Sequence, residues 1–375
     1  MSTFARAAHS VRSGVRMSRH ILHGVRSLKP EAGSIAIGLV GLLQWLRGAD
    51  IESTVVTLEP EIGDYGDVEV VCVGQADCRA LVEGADVVHL HGLERELARC
   101  LVPAAKRLGV PYVISPLGGC SPNPYIRLGW RERWFGAFQD RRMLRGARAI
   151  GVLNEAEGAV LVGRGLSGRV HRLPYGVDFR EYEPLADDRE ARSWDEPRTL
   201  LVLGDIHPDQ GLVVLMRAVA ELGKDFRGWR VVIAGGDRGG WLAQLEAAVE
   251  RKGGSERVAF VRDPDGATQR RWLGEASLVA APALRVCCPI SVGQGLASGV
   301  PVIASGSGLA DGAESSVRVC EPTREGLRAG LGEMIRAVNA GGGKLPRASR
   351  ESAREFFDWT YLHEGFVRLY RSAWA

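Results

Sequence analysis

The sequence predicts an α/β protein made of two Rossmann-like, doubly wound domains that face each other across a cleft. Short apolar segments of strand length alternate with longer segments of helical periodicity, which is typical of βαβ units. This alternation runs through the first half of the chain, stops, and starts again in the second half. With 375 residues, the chain is also about twice the usual size of one domain.

The first half is predicted to hold seven strands and two clear helices. Residues 35–47 form an apolar helix, and residues 95–108 form a second one, in which Leu97, Leu101 and Ala104 recur at helical spacing. The strands are 21–25, 54–58, 68–73, 87–90, 112–115, 149–152 and 170–173.

The domain boundaries follow from where this rhythm breaks. We expect a first domain over 17–180, a polar linker without periodicity over 181–198, and a second domain over 199–358. Residues 359–375 are predicted to form a last helix. The second-half strands are 199–203, 231–234, 258–261, 278–281 and 302–304, and the helices are 211–222, 241–252, 267–273, 290–298, 323–337, 350–357 and 361–370.

Residues 1–16 are interpreted as an N-terminal extension that precedes a start at Met17. The segment is rich in arginine and no acidic residue precedes Glu31, which superficially resembles a transit peptide. Residues 19–25 nevertheless read as the first strand. No run reaches the ~18 apolar residues needed to cross a bilayer, so we expect a cytoplasmic protein.

Composition excludes several function classes. Hydrophobic residues make up 45% and charged residues 25%, as in ordinary globular proteins, and the net charge of +3 gives no support for nucleic-acid binding. The seven cysteines contain no CxxC pair, and scattered free thiols fit a reducing compartment. Cys287 and Cys288 are adjacent, and they are either small loop residues or a redox pair.

Seven segments in order carry a family resemblance: RHILHGVRSLKPEAGS, DVVHLHGL, PYVISPLGG, RLPYGVD, LGDIHPDQGL, VVIAGGDRGGWLAQLE and GLASGVPVIAS. Together they resemble the motifs of glycosyltransferase family 4, over about residues 17–375. The resemblance implies the GT-B fold, with the last helix crossing back to the first domain. It also implies metal-independent transfer of a sugar from a nucleotide-sugar donor with retention, and no cofactor. The implied acceptor is a glycan or a lipid-linked compound, as in the synthesis of cell-envelope polysaccharide.

The residues expected to stabilise the leaving diphosphate are replaced in this chain. Family members place an arginine and a lysine after the first strand of the second domain, and those positions hold Asp205 and Gln210. Of two family glutamates, the one near the sugar is Val286 and the one for the ribose is Gln294, while Pro289 replaces a glycine between them. Losing two cation contacts weakens diphosphate binding by roughly 3–6 kcal/mol.

Two further positions also depart from the family pattern. A histidine near the sugar is replaced by Leu117, and the glycine pair that approaches the donor reads Gly33-Ser34. The catalytic residues are therefore unassigned, and no metal ligand is expected. The predicted donor-site residues are Gly33, Ser34, Gly204, Gln210, Arg285, Ile290 and Gln294.

Three basic residues are candidates to replace the missing cations. Arg285, His207 and Arg238 lie near strand ends, where a side chain could reach the diphosphate; the alternative is that they are solvated loop residues. His89 and His91 point to one face of a strand, with either a ligand-binding or a structural role.

A basic and aromatic stretch, 125–145, supports either of two interpretations. It could rest on an anionic membrane surface or hold an acceptor, or its aromatic residues could belong to the core.

At the level of the whole protein, the leading hypothesis is an active glycosyltransferase, cytoplasmic or peripheral at the inner face of the membrane. The alternative is a catalytically silent homologue that acts as a partner or regulatory scaffold.

Overall fold

The structure is a computed structural model, and it describes most of the chain. The described residues are 18–29, 32–60, 65–75, 77–120, 141–191, 197–237, 239–250, 255–285, 288–306, 309, 312–341 and 345–374. Within them, two parallel β-sheets are flanked by helices, which confirms the predicted α/β architecture of two Rossmann-like domains.

The N-terminal sheet has seven strands in the order β3-β2-β1-β4-β5-β6-β7. Its neighbouring strands pair in parallel throughout, from β1 with β2 to β6 with β7. The strands are β1 (Arg19–Gly24), β2 (Ile51–Thr57), β3 (Glu69–Cys72), β4 (Val87–His91), β5 (Tyr112–Ser115), β6 (Ala149–Val152) and β7 (Val170–Arg172).

The C-terminal sheet has six parallel strands in the order β10-β9-β8-β11-β12-β13. The strands are β8 (Arg198–Leu203), β9 (Trp229–Gly235), β10 (Val258–Arg262), β11 (Leu278–Ala281), β12 (Val302–Ser305) and β13 (Arg318–Cys320).

The central strands are largely buried because both faces of each sheet are covered. In β4, every residue is buried, and Val87 and Val88 belong to core clusters on opposite faces of the sheet. In β8, Leu201 and Leu200 likewise divide between two clusters. The cluster that contains Val87 and Leu201 extends through both domains, so the domains share one core region.

Helices connect and cover the strands. They are α1 (Ser34–Arg47), α2 (Cys78–Glu83), α3 (Arg95–Leu108), α4 (Glu155–Val162), α5 (Glu183–Ala191), α6 (Leu212–Glu221), α7 (Trp241–Glu250), α8 (Gly266–Glu275), α9 (Ile290–Ala297), α10 (Arg324–Gly341), α11 (Arg347–Phe357) and α12 (Trp359–Trp374). None of the helices among the described residues combines the length and the apolar character needed to cross a membrane.

Part of the segment predicted as an irregular linker is helical. Helix α5 begins at Glu183, and Pro184 occupies its first turn, where proline is well tolerated. Leu185 packs against the core and approaches the position of Gly274 in α8. Tertiary packing therefore stabilises a helix whose own sequence lacks a regular apolar stripe.

The last helix packs against the N-terminal domain. A Cβ atom on Gly41 of α1 would lie 2.3 Å from Nε1 of Trp359, the fully buried first residue of α12. Only a glycine allows the two helices to approach this closely. Near the other end of α12, the Tyr370 hydroxyl is hydrogen-bonded to Nδ1 of His89 in β4.

The cysteines differ from the expectation of scattered free thiols. Cys78 and Cys100 are joined in a disulfide, because α2 and α3 pack side by side and bring their Cα atoms to 5.4 Å. The partners are 22 residues apart, without a recognisable spacing pattern. Of the other described cysteines, Cys72 and Cys320 are free thiols.

Candidate functional site

The candidate site lies where the carboxyl ends of the two sheets meet. Strand order reverses between β1 and β4 in one sheet and between β8 and β11 in the other. In parallel α/β sheets, ligands bind at such reversals, beyond the carboxyl ends of the strands. Here the loop after β1 contacts the loop after β8, since Gly33 lies against Asp205.

Five of the predicted donor-site residues line one small pocket between the domains. Gly33 and Ser34 come from the start of α1, Gly204 follows β8, and Ile290 and Gln294 belong to α9. Residues from both domains that are far apart in sequence thus converge on this pocket.

This pocket is nearly closed. Its free volume is about 20 Å³, which is room for about one water molecule. Ligand sites for small molecules usually measure about 300–1,000 Å³. A nucleotide sugar therefore requires the two domains to separate, or the lining side chains to move, before it can enter.

The carboxylate of Asp205 contributes to this closure. A Cβ atom on Gly33 would lie 2.6 Å from Oδ1 of Asp205 and 2.9 Å from Oδ2. Gly33 also has φ 88° and ψ −165°, a conformation that is essentially restricted to glycine. An acidic group thus lies close to the start of α1, at the position where the family resemblance led us to expect a cation.

The other predicted cation position and its candidate replacement lie nearby but outside the pocket lining. The Oε1 atom of Gln210 is 3.9 Å from the Cβ position of Gly204. Arg285 is half-buried, and its Nε lies 2.7 Å from Oδ2 of the buried Asp209. Its Nη1 donates to the carbonyl of Gly118 in the other domain at 3.3 Å. Arg285 therefore connects the domains in this conformation, and it is not a solvated loop residue.

The amide of Gln294 is held by neighbouring polar groups. Gln294 is 4% exposed, and its Nε2 donates to the Tyr182 hydroxyl at 3.2 Å and to Oε1 of Gln269 at 3.3 Å. Both bonds use the donor side of the amide, which orients the side chain within the wall of the pocket.

The start of α9 retains most of an anion-binding geometry. Pro289 occupies the N-cap and makes no side-chain capping bond, and it has no N–H group to offer. The following backbone N–H groups, at Ile290 and Ser291, belong to the unpaired first turn of a helix and line the pocket. The start of α1 contributes a second helix N-terminus at Ser34.

Leu117, at the position where the family resemblance led us to expect a histidine, is buried and adopts φ 53°. Such a conformation is unusual for a residue other than glycine. The next amide, that of Gly118, donates to Oε1 of Glu157 at 2.6 Å. The loop after β5 is thus held in a strained shape by a buried carboxylate on α4.

Glu157 is a site-region residue that the sequence analysis missed. It is fully buried and also accepts a bond from the Leu153 amide at 3.0 Å, and burial raises the pKa of its carboxyl. Its spacing from Asn154, the N-cap of α4, is that of a capping box, a pattern that could have located the helix start but not the contact with Gly118. Asn154 also donates from Nδ2 to the Leu309 carbonyl at 2.9 Å, a second bond between the domains.

His89 and His91 are buried together with a third histidine, His23 of β1. His23 and His89 are register partners in neighbouring strands, and burial lowers the pKa of His23 to about 3 and that of the other two well below the usual value. One ring nitrogen from each residue lies within 4.8 Å of the others, a spacing compatible with a metal ion. The sequence analysis expected no metal ligand, since the family resemblance implies a metal-independent reaction, and it did not associate His23 with this pair.

Of the remaining candidate residues from the sequence analysis, some are described by the structure and others lie outside the described residues. The imidazole Nδ1 of His207 accepts the Asp209 amide at 3.3 Å, and the ring is 38% exposed. Val286, Cys287 and Arg238 lie outside the described residues, as do residues 1–16 and most of the basic stretch 125–145.

Two family models match the chain in its two halves. Residues 33–176 match the model described as a glycosyl transferase 4-like domain, and residues 197–336 match glycosyl transferases group 1. The chain belongs to the family 4 type of glycosyltransferases.

Its relatives among characterised proteins are distant. A D-inositol 3-phosphate glycosyltransferase from Nocardia farcinica is 29% identical over 326 residues, covering 79% of this chain and 68% of that protein. A GDP-mannose:cellobiosyl-diphosphopolyprenol alpha-mannosyltransferase from Xanthomonas oryzae is 25% identical over 218 residues, covering 58% of this chain and 53% of the relative.

Solved structures confirm the GT-B fold. Anabaena HepE, in complex with UDP and glucose, superposes with a TM-score of 0.74 over 94% of this chain and 100% of its own, at 15% identity. The likeness therefore extends over both domains. The chain therefore shares the two-domain GT-B fold of the glycosyltransferase family to which it belongs.

Proposed function

We propose that this glycosyltransferase homologue transfers a sugar from a nucleotide-sugar donor bound in the cleft between the two sheets. The observation that supports this most directly is the convergence of Gly33, Ser34, Gly204, Ile290 and Gln294 on one pocket. Close backbone approach at the glycines and two helix N-termini suit a diphosphate, because both supply N–H groups to an anion.

The reaction proposed from family membership proceeds with retention and without a metal ion. The donor binds at the C-terminal domain, and the departing diphosphate helps to deprotonate the acceptor hydroxyl on the same face of the sugar. In this chain, the first-turn amides of α1 and α9 would stabilise the developing charge, since Asp205 and Gln210 are not cationic.

Magnitudes indicate weak donor binding. An anion at a helix N-terminus gains about 0.3–1 kcal/mol, whereas two lost cation contacts remove roughly 3–6 kcal/mol. The loss of the two cation contacts by itself corresponds to a donor affinity about two to four decades below that of a site with both cations. Asp205 adds repulsion unless its carboxylate turns away from Gly33.

One observation favours a second candidate function, a catalytically silent homologue that acts as a partner or regulatory scaffold. The pocket has only about 20 Å³ of free volume, and the Asp205 carboxylate lies against Gly33. The contacts of Arg285 with Gly118 and of Asn154 with Leu309 hold the domains in this closed arrangement.

Calorimetric titration with UDP, GDP and their common nucleotide sugars separates the two functions. For an enzyme, we expect Kd values in the millimolar range and release of nucleoside diphosphate from at least one donor. The double variant Asp205→Arg/Gln210→Lys should tighten binding by more than tenfold. Asp188→Arg, which reverses a charge on the exposed side of α5, is the matched control and should leave binding unchanged.

The outcomes are distinct. Binding and turnover by the wild-type chain support the enzyme. Binding by the double variant alone indicates that the donor-shaped cleft persists in a chain that is itself silent. If neither protein binds any nucleotide, the proposed transfer reaction is wrong.

We further propose a glycan or lipid-linked acceptor, of the kind used for cell-envelope polysaccharide, with the protein in the cytoplasm and in peripheral contact with the membrane. The Xanthomonas relative is named for a diphosphopolyprenol-linked acceptor, which supports this. Co-sedimentation with vesicles containing anionic lipid tests the contact. Absence of binding at low salt would argue against it.

A further inference from the structure

We propose that His23, His89 and His91 form a buried zinc-binding site at the strand-order reversal of the N-terminal sheet. One ring nitrogen from each lies within 4.8 Å of the others. The three side chains are at most 1% exposed, so a metal ion here would be enclosed by protein and out of reach of a substrate in the cleft.

The secondary structure brings the three imidazoles to the same face. His23 of β1 is the register partner of His89 of β4, and His91 follows two residues later on the same side of the strand. The ring centroids of His89 and His91 are 3.9 Å apart, and those of His23 and His91 are 5.1 Å apart. Neutral imidazole is a preferred ligand of zinc.

Neighbouring hydroxyl groups would orient the ligands. Nε2 of His89 lies 2.9 Å from Ser115 Oγ, a bond that zinc would replace. The other nitrogen of each ring is already held: Nδ1 of His91 is hydrogen-bonded to the Tyr175 hydroxyl, and Nδ1 of His89 to the Tyr370 hydroxyl at 2.7 Å. Histidines that bind metals usually make such a bond with their second ring nitrogen, which fixes the tautomer and the ring plane.

Counting hydrogens shows what a site without metal would leave unsatisfied. His23 Nδ1 and His91 Nε2 are 2.9 Å apart and share one hydrogen. Each bond to the hydroxyl groups of Tyr175, Ser115 and Tyr370 can hold one hydrogen, because a hydroxyl group can either donate or accept. In contrast, Nε2 of His23 is buried with no hydrogen-bond partner in the described part of the chain. An unsatisfied buried nitrogen of this kind calls for an explanation, and an ion bound through this atom would supply one.

The consequence for the fold is a connection among three parts of the N-terminal domain. Zinc would join β1 to β4 directly, and through the tyrosine partners it would stabilise the packing of α12 and of the segment after β7. This role is structural. It is independent of whether the cleft binds a nucleotide sugar.

The test is the metal content of the full-length protein, purified with an affinity tag that contains no histidine. We expect about one zinc per chain by mass spectrometry of the elements. Because the site is enclosed, the protein is also unfolded with a chelator and refolded with Zn²⁺, with Co²⁺ or without metal. Zinc at a thousandfold excess over Kd should raise Tm by about 5 °C, and Co²⁺ should give visible absorption bands of a nitrogen-ligated ion.

Variants assign the site. His23→Gln should lose the metal, while His20→Gln, on the same strand but bonded to Gly84 and Thr54, should retain it. If His23→Gln does not fold, the Co²⁺ spectrum of the wild-type protein still decides the question. Less than about one tenth of an equivalent of metal after refolding with zinc, with no change in Tm, overturns the proposal and leaves a metal-free hydrogen-bonded cluster.

Discussion

Replacing Gly33 by alanine tests whether the two domains meet at Asp205 in solution. The new methyl group would lie 2.6 Å from Oδ1 of Asp205, well below ordinary van der Waals contact. The variants to compare are Gly33→Ala, Asp205→Ala and the double variant. Gly92→Ala serves as the control, because Gly92 also has a positive φ, of 90°, but its Cβ would meet only Ile35, at 3.9 Å.

Two separable costs make up the expected effect. The backbone conformation of Gly33, with φ 88° and ψ −165°, costs an alanine about 1–3 kcal/mol. The clash adds about 1 kcal/mol, at the low end for overpacking, because a short carboxylate side chain can rotate away. Gly33→Ala should therefore destabilise the protein by about 2–4 kcal/mol, and by about 1 kcal/mol less when Asp205 is already alanine.

Urea unfolding followed by circular dichroism measures these free energies. The coupling between positions 33 and 205 should be about 1 kcal/mol, whereas Gly92→Ala should show no coupling with Asp205→Ala. A coupling of zero at positions 33 and 205 would refute the reasoning. It would mean that the cleft is open in solution and that Asp205 does not reach Gly33.

Three other measurements check packing elsewhere. Gly41→Ala should destabilise the protein by about 1–3 kcal/mol, because its methyl group would overlap the buried indole of α12; Gly84→Ala, with nothing within 4 Å of its Cβ, should have little effect on the urea midpoint. Asn154→Ala should lower the free energy of unfolding by about 1 kcal/mol more than Asp265→Ala, because both remove an N-cap but only the first breaks a hydrogen bond between the domains. Equal losses in urea unfolding would show that this hydrogen bond contributes nothing. Burial raises the pKa of Cys320 to about 11, so at pH 8 its alkylation, followed by peptide mass analysis, should be about a hundredfold slower than that of a thiol with pKa 9.

The strands were predictable because a buried strand is marked in the sequence by a short run of apolar residues. Both faces of β4 and β8 are covered, so short apolar runs mark these strands, Val87-Val88 in β4 and residues 200–203 in β8, and the prediction placed both to within a few residues. Helix α5 was not predicted. It is short, has no apolar stripe, and depends on packing through Leu185, which no local pattern reveals.

The sequence supplied candidate positions for the site but not the contacts among them. Motif order located Gly33, Gly204 and Gln294, which line one pocket. The sequence did not indicate that Arg285 pairs with Asp209, because that contact depends on how a loop folds after β11. Glu157 escaped notice for a related reason, since its capping-box spacing predicts a helix start and says nothing of the loop it also supports.

What the amino-acid order determined by itself is the architecture: alternating apolar strands and helices, repeated twice, leave parallel sheets as the arrangement that buries them. Tertiary structure alone decided which distant groups share a space. It brought His23 to His89 and His91, joined Cys78 to Cys100, and turned the carboxylate of Asp205 toward Gly33. The physical reason is the distance along the chain over which each kind of information acts. Hydrophobic periodicity reports the environment of a residue within one or two helical turns. These contacts join residues far apart in sequence, and they depend on strand order and on how closely the two domains approach.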